Sequence, residues 1–393
     1  LGTLGNEPVP GIETNEYWVF LTRPHQIRLM YESDGSVTTG ALANKVFFGT
    51  NEASVGYIDG EAHRRRRAQL HPMFNGSRDY SVLIQKVATQ CFSEWPRETP
   101  VVLFPELQMM TSRIIAEVVC GNMNEDDREQ LASMMPVTES ARFTRSEVVA
   151  ADRAIRAFIQ ERIDGYLEKS VVTGRDDAFG MLLKLKDVGD PSLSNEVIRD
   201  EVFGLLYTGF STTSTTMSWI LARVLTRPDV YTWLMRELRE TIGDGPITRG
   251  MTNRMPNLDA TIKETLRLHP VTPLNGVRML KKPLEIDGYR LPAGTILVHC
   301  AYLLQRSPEV FSDPETFSPE RFVSKRIDPY AWGAFGGGER VCIGRGFAME
   351  EMKVLLAKML IELKLELIGG LPASQQQGFF MAPANGLPCI IRA

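Results

Sequence analysis

The sequence predicts a mainly helical protein with a smaller β-rich part, and three observations carry that expectation. From Ala62 onward, one segment after another spaces its apolar residues at helical intervals, with breakers between. Before Gly60 the chain is instead rich in Gly, Asn and Thr, with short apolar runs that suit strands. No internal repeat, low-complexity tract or long linker interrupts the 393 residues. A single domain over 1–393 is therefore expected, β-rich over about 1–60 and helical over about 61–393.

In chain order, Lys45–Phe48 is an early apolar run predicted as strand. Helical spacing follows in Ala62–Gln69, Asp79–Trp95, Glu106–Val119 and Ser146–Glu168. The longest segment, Ser194–Thr226, opens on Ser194 as N-cap and stops before Pro228. At about 1.5 Å per residue, such a helix crosses a whole domain. In its middle, Gly209 and Phe210 are followed by six hydroxyl residues, Ser211 to Thr216. Hydroxyl side chains are poor helix formers that can bond back to carbonyls one turn earlier, so packing is one reading of this run. Leu284–Val298 reads as strands around the turn Ile286-Asp287-Gly288-Tyr289, and Met349–Leu367 as a final amphipathic helix.

Composition excludes several classes. Hydrophobic residues at 43% and charged residues at 23% are globular usage, not that of a disordered or disulfide-scaffold chain. A net charge of -4 gives no bulk attraction to nucleic acid or to anionic membranes. Five cysteines, an odd number without C-x-x-C spacing, predict a reducing, cytoplasmic setting. Near the N-terminus the longest apolar stretch, Tyr17–Leu21, is far too short to span a bilayer, so the chain reads as soluble. A trimmed anchor before Leu1 stays open as an alternative.

The stretch richest in chemistry is Phe335–Gly346, FGGGERVCIGRG, which runs straight into a helical pattern. A cysteine in a glycine-rich turn just before a helix N-terminus lies among backbone N–H groups that favour thiolate, a metal ligand. The glycines allow a flat cofactor to approach the backbone closely. A phosphate loop is the poorer reading, since no G-K-[ST] is present, and a plain turn holding a buried cysteine stays open. His63 and Arg67 lie four apart on one helix face, with Arg64, Arg65 and Arg66 fanned around them. The four arginines lack the interleaved aromatics of a nucleic-acid surface. His25, His71, His269 and His299 are read as structural.

These residues resemble a known family. Phe335, Gly338, Arg340, Cys342 and Gly344 fill F-x-x-G-x-R-x-C-x-G, which is similar to the haem-binding signature of cytochrome P450, a thiolate-ligated haem family. In the expected order before it come Glu264 and Arg267, similar to the family's E-x-x-R, and Arg321 in FSPERF. The resemblance runs from about Gly11 to near Ile391 and is weakest before Gly60, where Gly49–Gly60 looks short of a helix and loop. It implies the P450 fold, with haem b between the long helix and the Cys loop with its following helix. It further implies Cys342 as iron ligand, and His63, Arg67, Arg278 and Arg340 as donors to the propionates. Glu264, Arg267 and Arg321 become a structural ion-pair network, and Phe210, Leu274, Asn275 and Gly276 candidate substrate contacts, with Phe210 equally readable as a core residue. Gly209, Ser211 and Thr212 fall in the family's [AG]-G-x-[DE]-T-[TS] stretch, with Ser211 where the acid belongs. A serine conducts a proton only as it receives one, so the delivery is assigned to Thr212 with water and Ser211 in support.

The function so implied is a haem-thiolate monooxygenase that uses O2 and electrons from a ferredoxin-type donor with its reductase, working as a monomer. Its substrate class would be a small organic molecule of secondary metabolism, altered by hydroxylation or by oxidative ring or bond formation. Arg64, Arg66, Arg345 and Lys353 are expected to draw in an acidic donor, with scattered surface charge as the rival reading. A peroxide-driven peroxygenase and a haem-based ligand sensor remain as alternatives.

Overall fold

The computed structural model describes residues 17–48, 53–121, 123–138, 144–169, 177–243, 245–324, 326–377 and 379–392. Backbone contacts divide them into two compact units. The first takes the chain as far as His71, with Thr272–Thr316 and Arg326–Ile343; the second takes Pro72–Val271, Phe317–Lys325 and the chain from Gly344 on.

The first unit is built on a four-stranded sheet in the order Trp18–Leu21, Ile296–His299, Asn275–Leu280, Thr38–Thr39. Trp18–Leu21 runs parallel to Ile296–His299, and the other pairings are antiparallel. Helix Pro24–Glu32 buries Ile27, Met30 and Tyr31 against Leu21, Leu280 and Leu297 of the sheet. The turn expected at 286–289 joins Leu284–Ile286 to Tyr289–Leu291, with Asp287 at φ 52° and Gly288 at φ 81°. Two left-handed residues in succession match the twist of a hairpin, which is why Asp-Gly stands there.

Lys45–Phe48 is not a strand: it ends helix Gly40–Phe48. The good helix formers Ala41, Leu42 and Ala43 precede it, Ala41 and Ala43 are buried, and a four-residue apolar run cannot by itself distinguish strand from helix. The described residues before Gly60 thus carry two short strands and two helices, and the rest of their sheet comes from 275–299. Of the Gly49–Gly60 segment, 49–52 lie outside the described residues, and Val55–Tyr57 forms a 3-10 turn.

The second unit is helical. It includes Ser81–Glu94, Leu103–Cys120, Arg145–Lys169, Asn195–Leu225, Pro256–Leu268 and Arg345–Glu362. The long helix has 31 residues, about 46 Å at the usual rise. Ser194 caps it, its hydroxyl accepting from Val197 N–H at 3.2 Å, and Thr226 ends it two residues before Pro228. Trp219, fully buried on this helix, stacks on His269 with ring centroids 3.9 Å apart and donates its indole N–H to the Met381 carbonyl at 2.9 Å.

The final helix is shorter than expected. It stops at Glu362, and Lys364–Leu367 is a strand paired antiparallel with Cys389–Arg392. The alternation Lys-Leu-Glu-Leu has the two-residue period of a strand, and a cross-strand partner decides between the two patterns.

Candidate functional site

In the first unit the Cys loop is closed by its own backbone: Cys342 N–H donates to the Phe335 carbonyl at 2.9 Å, and Val341 N–H to Gly338 at 3.2 Å. Gly336 and Gly338 have φ of 70° and 65°, values that favour glycine. Cys342 is the exposed cysteine; Cys91, Cys120, Cys300 and Cys389 are buried. Three of the loop's glycines also lie close to protein atoms. A β-carbon on Gly337 would stand 2.6 Å from the Tyr31 ring, and one on Gly338 would stand 3.1 Å from Tyr31 Cβ. In the second unit, one on Gly346 would stand 2.7 Å from the Asn75 carbonyl carbon.

The expected propionate donors fall into two kinds. His63 and Arg67 project from helix Gly60–Phe74 with no side-chain hydrogen-bond partner among the described residues, His63 buried and Arg67 half-buried. Burial, then the charges of Arg340 and Arg67, depress the His63 imidazole to about 4. Burial also lowers Arg67, against the pull of the Cys342 sulfur. Arg278 and Arg340 are already engaged. Arg278 forks onto Asp34 Oδ2 at 2.9 and 3.0 Å. Arg340 meets Asp59 at 2.5 Å and the carbonyls of Gly56 and Ile58. A propionate reaching either arginine would share it with a carboxylate.

Asn275 is likewise occupied. Its amide donates to the Gly333 carbonyl at 2.7 Å, tying strand Asn275–Leu280 to the approach to the Cys loop. Gly276 carries φ 64° and lies against the Tyr31 hydroxyl, whereas Leu274 is exposed. Of the cations expected to attract an acidic donor, Arg66 is buried against Gln69 and Lys353 is held by Asp259 at 2.8 Å. Arg64 and Arg345 are exposed, and Arg64 is bonded to Glu61 at 2.9 Å. Two of the four therefore present little free charge.

In the second unit the hydroxyl run mostly bonds back along its helix. Thr208 donates to Gly204, Thr212 to Thr208 at 3.0 Å, Thr213 to Gly209, Ser214 to Ser211 and Thr216 to Thr212. Ser211, buried, makes no such bond, while Thr212 is half-buried. Gly209 packs on helix Leu103–Cys120, where a β-carbon would stand 2.4 Å from Ile115 Cγ1. Phe210 has no exposed surface, and its carbonyl accepts from Thr111 Oγ1 on that helix at 3.0 Å.

Sequence reasoning missed Glu351. It is fully buried on helix Arg345–Glu362, and burial holds its carboxyl well above the ordinary range, with the Thr213 hydroxyl beside it as the opposing influence. The signal was present: Phe347, Glu351 and Leu355 recur at four-residue spacing, placing an acid in an apolar stripe. Elsewhere in this unit, Glu264 accepts from Arg267 Nε at 2.7 Å and Nη2 at 2.8 Å, from Arg321 Nε at 3.1 Å and from Ser318 N–H at 2.8 Å. Glu264 and Arg267 have no exposed surface.

The comparisons agree with one another. The family model described as Cytochrome P450 matches residues 14–390. Cytochrome P450 135B1 of Mycobacterium tuberculosis is 28% identical, covering 96% of this chain and 82% of its own. Cytochrome P450 4d2 of Drosophila melanogaster is 28% identical, covering 94% and 83%. Among solved structures, retinoic acid bound cyanobacterial CYP120A1 superposes with a TM-score of 0.83 at 21% identity, over 95% of this chain and 88% of that one, a likeness of fold. Among the described residues no helix is long and apolar enough to cross a membrane. With a family match over nearly all of its length, the chain belongs to the cytochrome P450 family of haem-thiolate monooxygenases.

Proposed function

We propose that this monooxygenase holds haem b through the Cys342 thiolate, acts on a small organic substrate and works as one domain over 1–393. The observation that carries the reading is the pairing, in one unit, of an exposed cysteine in a closed loop with two unpartnered donors, His63 and Arg67, on a neighbouring face. The donor set fits haem: the thiol suits iron, and an anionic edge against His63 and Arg67 would offset the burial and the cationic neighbour Arg340 that lower both. Dioxygen activation is the chemistry the haem supplies when bound.

The chain's own task is to hold the group and to move protons. Arg67 would bind a propionate as a charge-assisted fork, and His63, neutral at physiological pH, would donate through a ring N–H. Thr212 is the assigned hydroxyl for proton delivery, its oxygen turned to the Thr208 carbonyl at 3.0 Å. Ser211 has its hydroxyl uncommitted to the helix and can hold a water in that path. Glu351, whose carboxyl burial holds well above the ordinary range, lies beside Thr213 of this hydroxyl run in the second unit.

Electrons are assigned to a ferredoxin-type iron–sulfur protein with its reductase, following the soluble members of the family, and four buried cysteines without a disulfide suit a reducing cytoplasm. The serine at position 211 favours one second reading, direct use of hydrogen peroxide. The test is product formation from a ligand found by an absorbance-shift screen. Turnover that requires the ferredoxin system supports the monooxygenase reading, whereas equal turnover with peroxide alone supports the second.

A further inference from the structure

We propose that Tyr31 is a positioning residue for the Cys342 loop, its ring forming the floor under Gly337 and its Cβ and backbone the floor under Gly338, with His299 fixing its hydroxyl. The inference rests on the reading of Cys342 as iron ligand and concerns how that ligand is held.

Tyr31 is 3% exposed at the end of helix Pro24–Glu32. Its hydroxyl lies 3.1 Å from His299 Nδ1, and His299 is fully buried with no partner for Nε2 among the described residues. The phenol ring stacks on Tyr330 at 6.4 Å between centroids, and the Arg278 guanidinium lies 5.2 Å from its centroid. A residue constrained on three sides in this way has one rotamer, which makes it a fixed surface.

Four glycines are shaped to that surface. A β-carbon would stand 2.4 Å from the Tyr31 hydroxyl oxygen at Gly276, 3.7 Å from it at Gly336, 2.6 Å from Cδ2 at Gly337 and 3.1 Å from Cβ at Gly338. Three of these have positive φ, so glycine there has a backbone reason as well. Gly337 does not: its φ of −165° is extended backbone open to any residue. The Tyr31 ring crowds that position: the three atoms nearest its built β-carbon all belong to that ring. The glycine at 337, five residues before the thiol, is therefore a tyrosine-facing glycine. The layer continues under the approach to the loop, where a β-carbon on Gly333 would stand 2.0 Å from His299 Cε1 and Asn275 bonds the Gly333 carbonyl.

A double-mutant cycle between Gly337→Ala and Tyr31→Ala tests this, because two residues in contact couple and two that are not add. The readouts are hydrogen exchange of the backbone amides of 336–342, in haem-free and haem-loaded protein, and the half-life of the thiolate-type absorption of the reduced carbon monoxide complex. Gly337→Ala is expected to speed exchange and shorten the half-life by about tenfold with Tyr31 present, and by less than about twofold with Ala at 31. Tyr31→Phe keeps the ring, so Gly337→Ala stays damaging in that background. If Tyr31→Ala does not fold, Tyr31→Leu supplies the smaller floor and the same rescue is expected. Equal damage in every background, or a harmless Gly337→Ala, overturns the proposal. A wild-type protein without the thiolate band overturns the Cys342 reading instead, and the exchange arm still reports on Tyr31.

Discussion

Glu350 gives this protein a pH-dependent stability whose size follows from its surroundings. Its side chain is 6% exposed on helix Arg345–Glu362, with Arg249 Nε 3.8 Å away and Asp79 nearby. Burial pushes the carboxyl from its ordinary 4.5 up to about 7, Arg249 opposing and Asp79 adding to the rise. The folded protein then binds a proton between these values that the unfolded chain has released. The contribution is complete below 4.5 and is lost as the pH rises through about 7. Between pH 5 and pH 8 the loss amounts to roughly 2 to 3 kcal/mol from this one group. Glu350→Gln removes the titration and keeps the shape. Urea unfolding of both proteins at pH 5, 6, 7 and 8 should show the glutamine variant gaining roughly 2 to 3 kcal/mol on the wild type across the series, whatever the offset at pH 5. Curves that stay parallel to within about 0.5 kcal/mol would refute the reasoning.

Three further outcomes are expected. Thr212→Ala should divert reducing equivalents into hydrogen peroxide, measured as peroxide formed per reductant consumed, while Ser211→Ala slows turnover with a changed solvent isotope effect; wild-type coupling in both would remove the relay. Arg267→Ala should destabilise the protein by about 3 kcal/mol in urea, near the lower end for a broken buried pair because Arg321 and Ser318 N–H still meet Glu264; a loss under about 1 kcal/mol would contradict that. Ser194→Ala should cost about 1 kcal/mol by the same measurement, and Ser194→Asn almost nothing, since either side chain can accept from Val197 N–H.

The long helix, its cap and its stop were legible because Ser194, Pro228 and an unbroken apolar period are local signals. The same locality explains the failures. Lys45–Phe48 has strand-like residues but a helical neighbourhood, and Lys364–Leu367 becomes a strand only through its partner at Cys389–Arg392. Cys342 was legible because five spaced residues mark its loop. The Tyr31 floor was not, since Tyr31 and Gly337 are joined by packing alone. Nor could sequence show that Arg278 and Arg340 bind Asp34 and Asp59. Glu351 was hidden by its neighbour Glu350, because two adjacent acids on a helix look like a solvated face, whereas here both are buried.

The central claim is that the Cys342 thiolate is the iron ligand, and the reduced carbon monoxide complex tests it most directly. Wild-type protein loaded with haem should show the red-shifted Soret band of a thiolate complex, as should variants with Ala at Cys91, Cys120, Cys300 or Cys389. Cys342→His should lose that band while still binding haem through His63 and Arg67. A thiolate-type band that survives in Cys342→His would contradict the account.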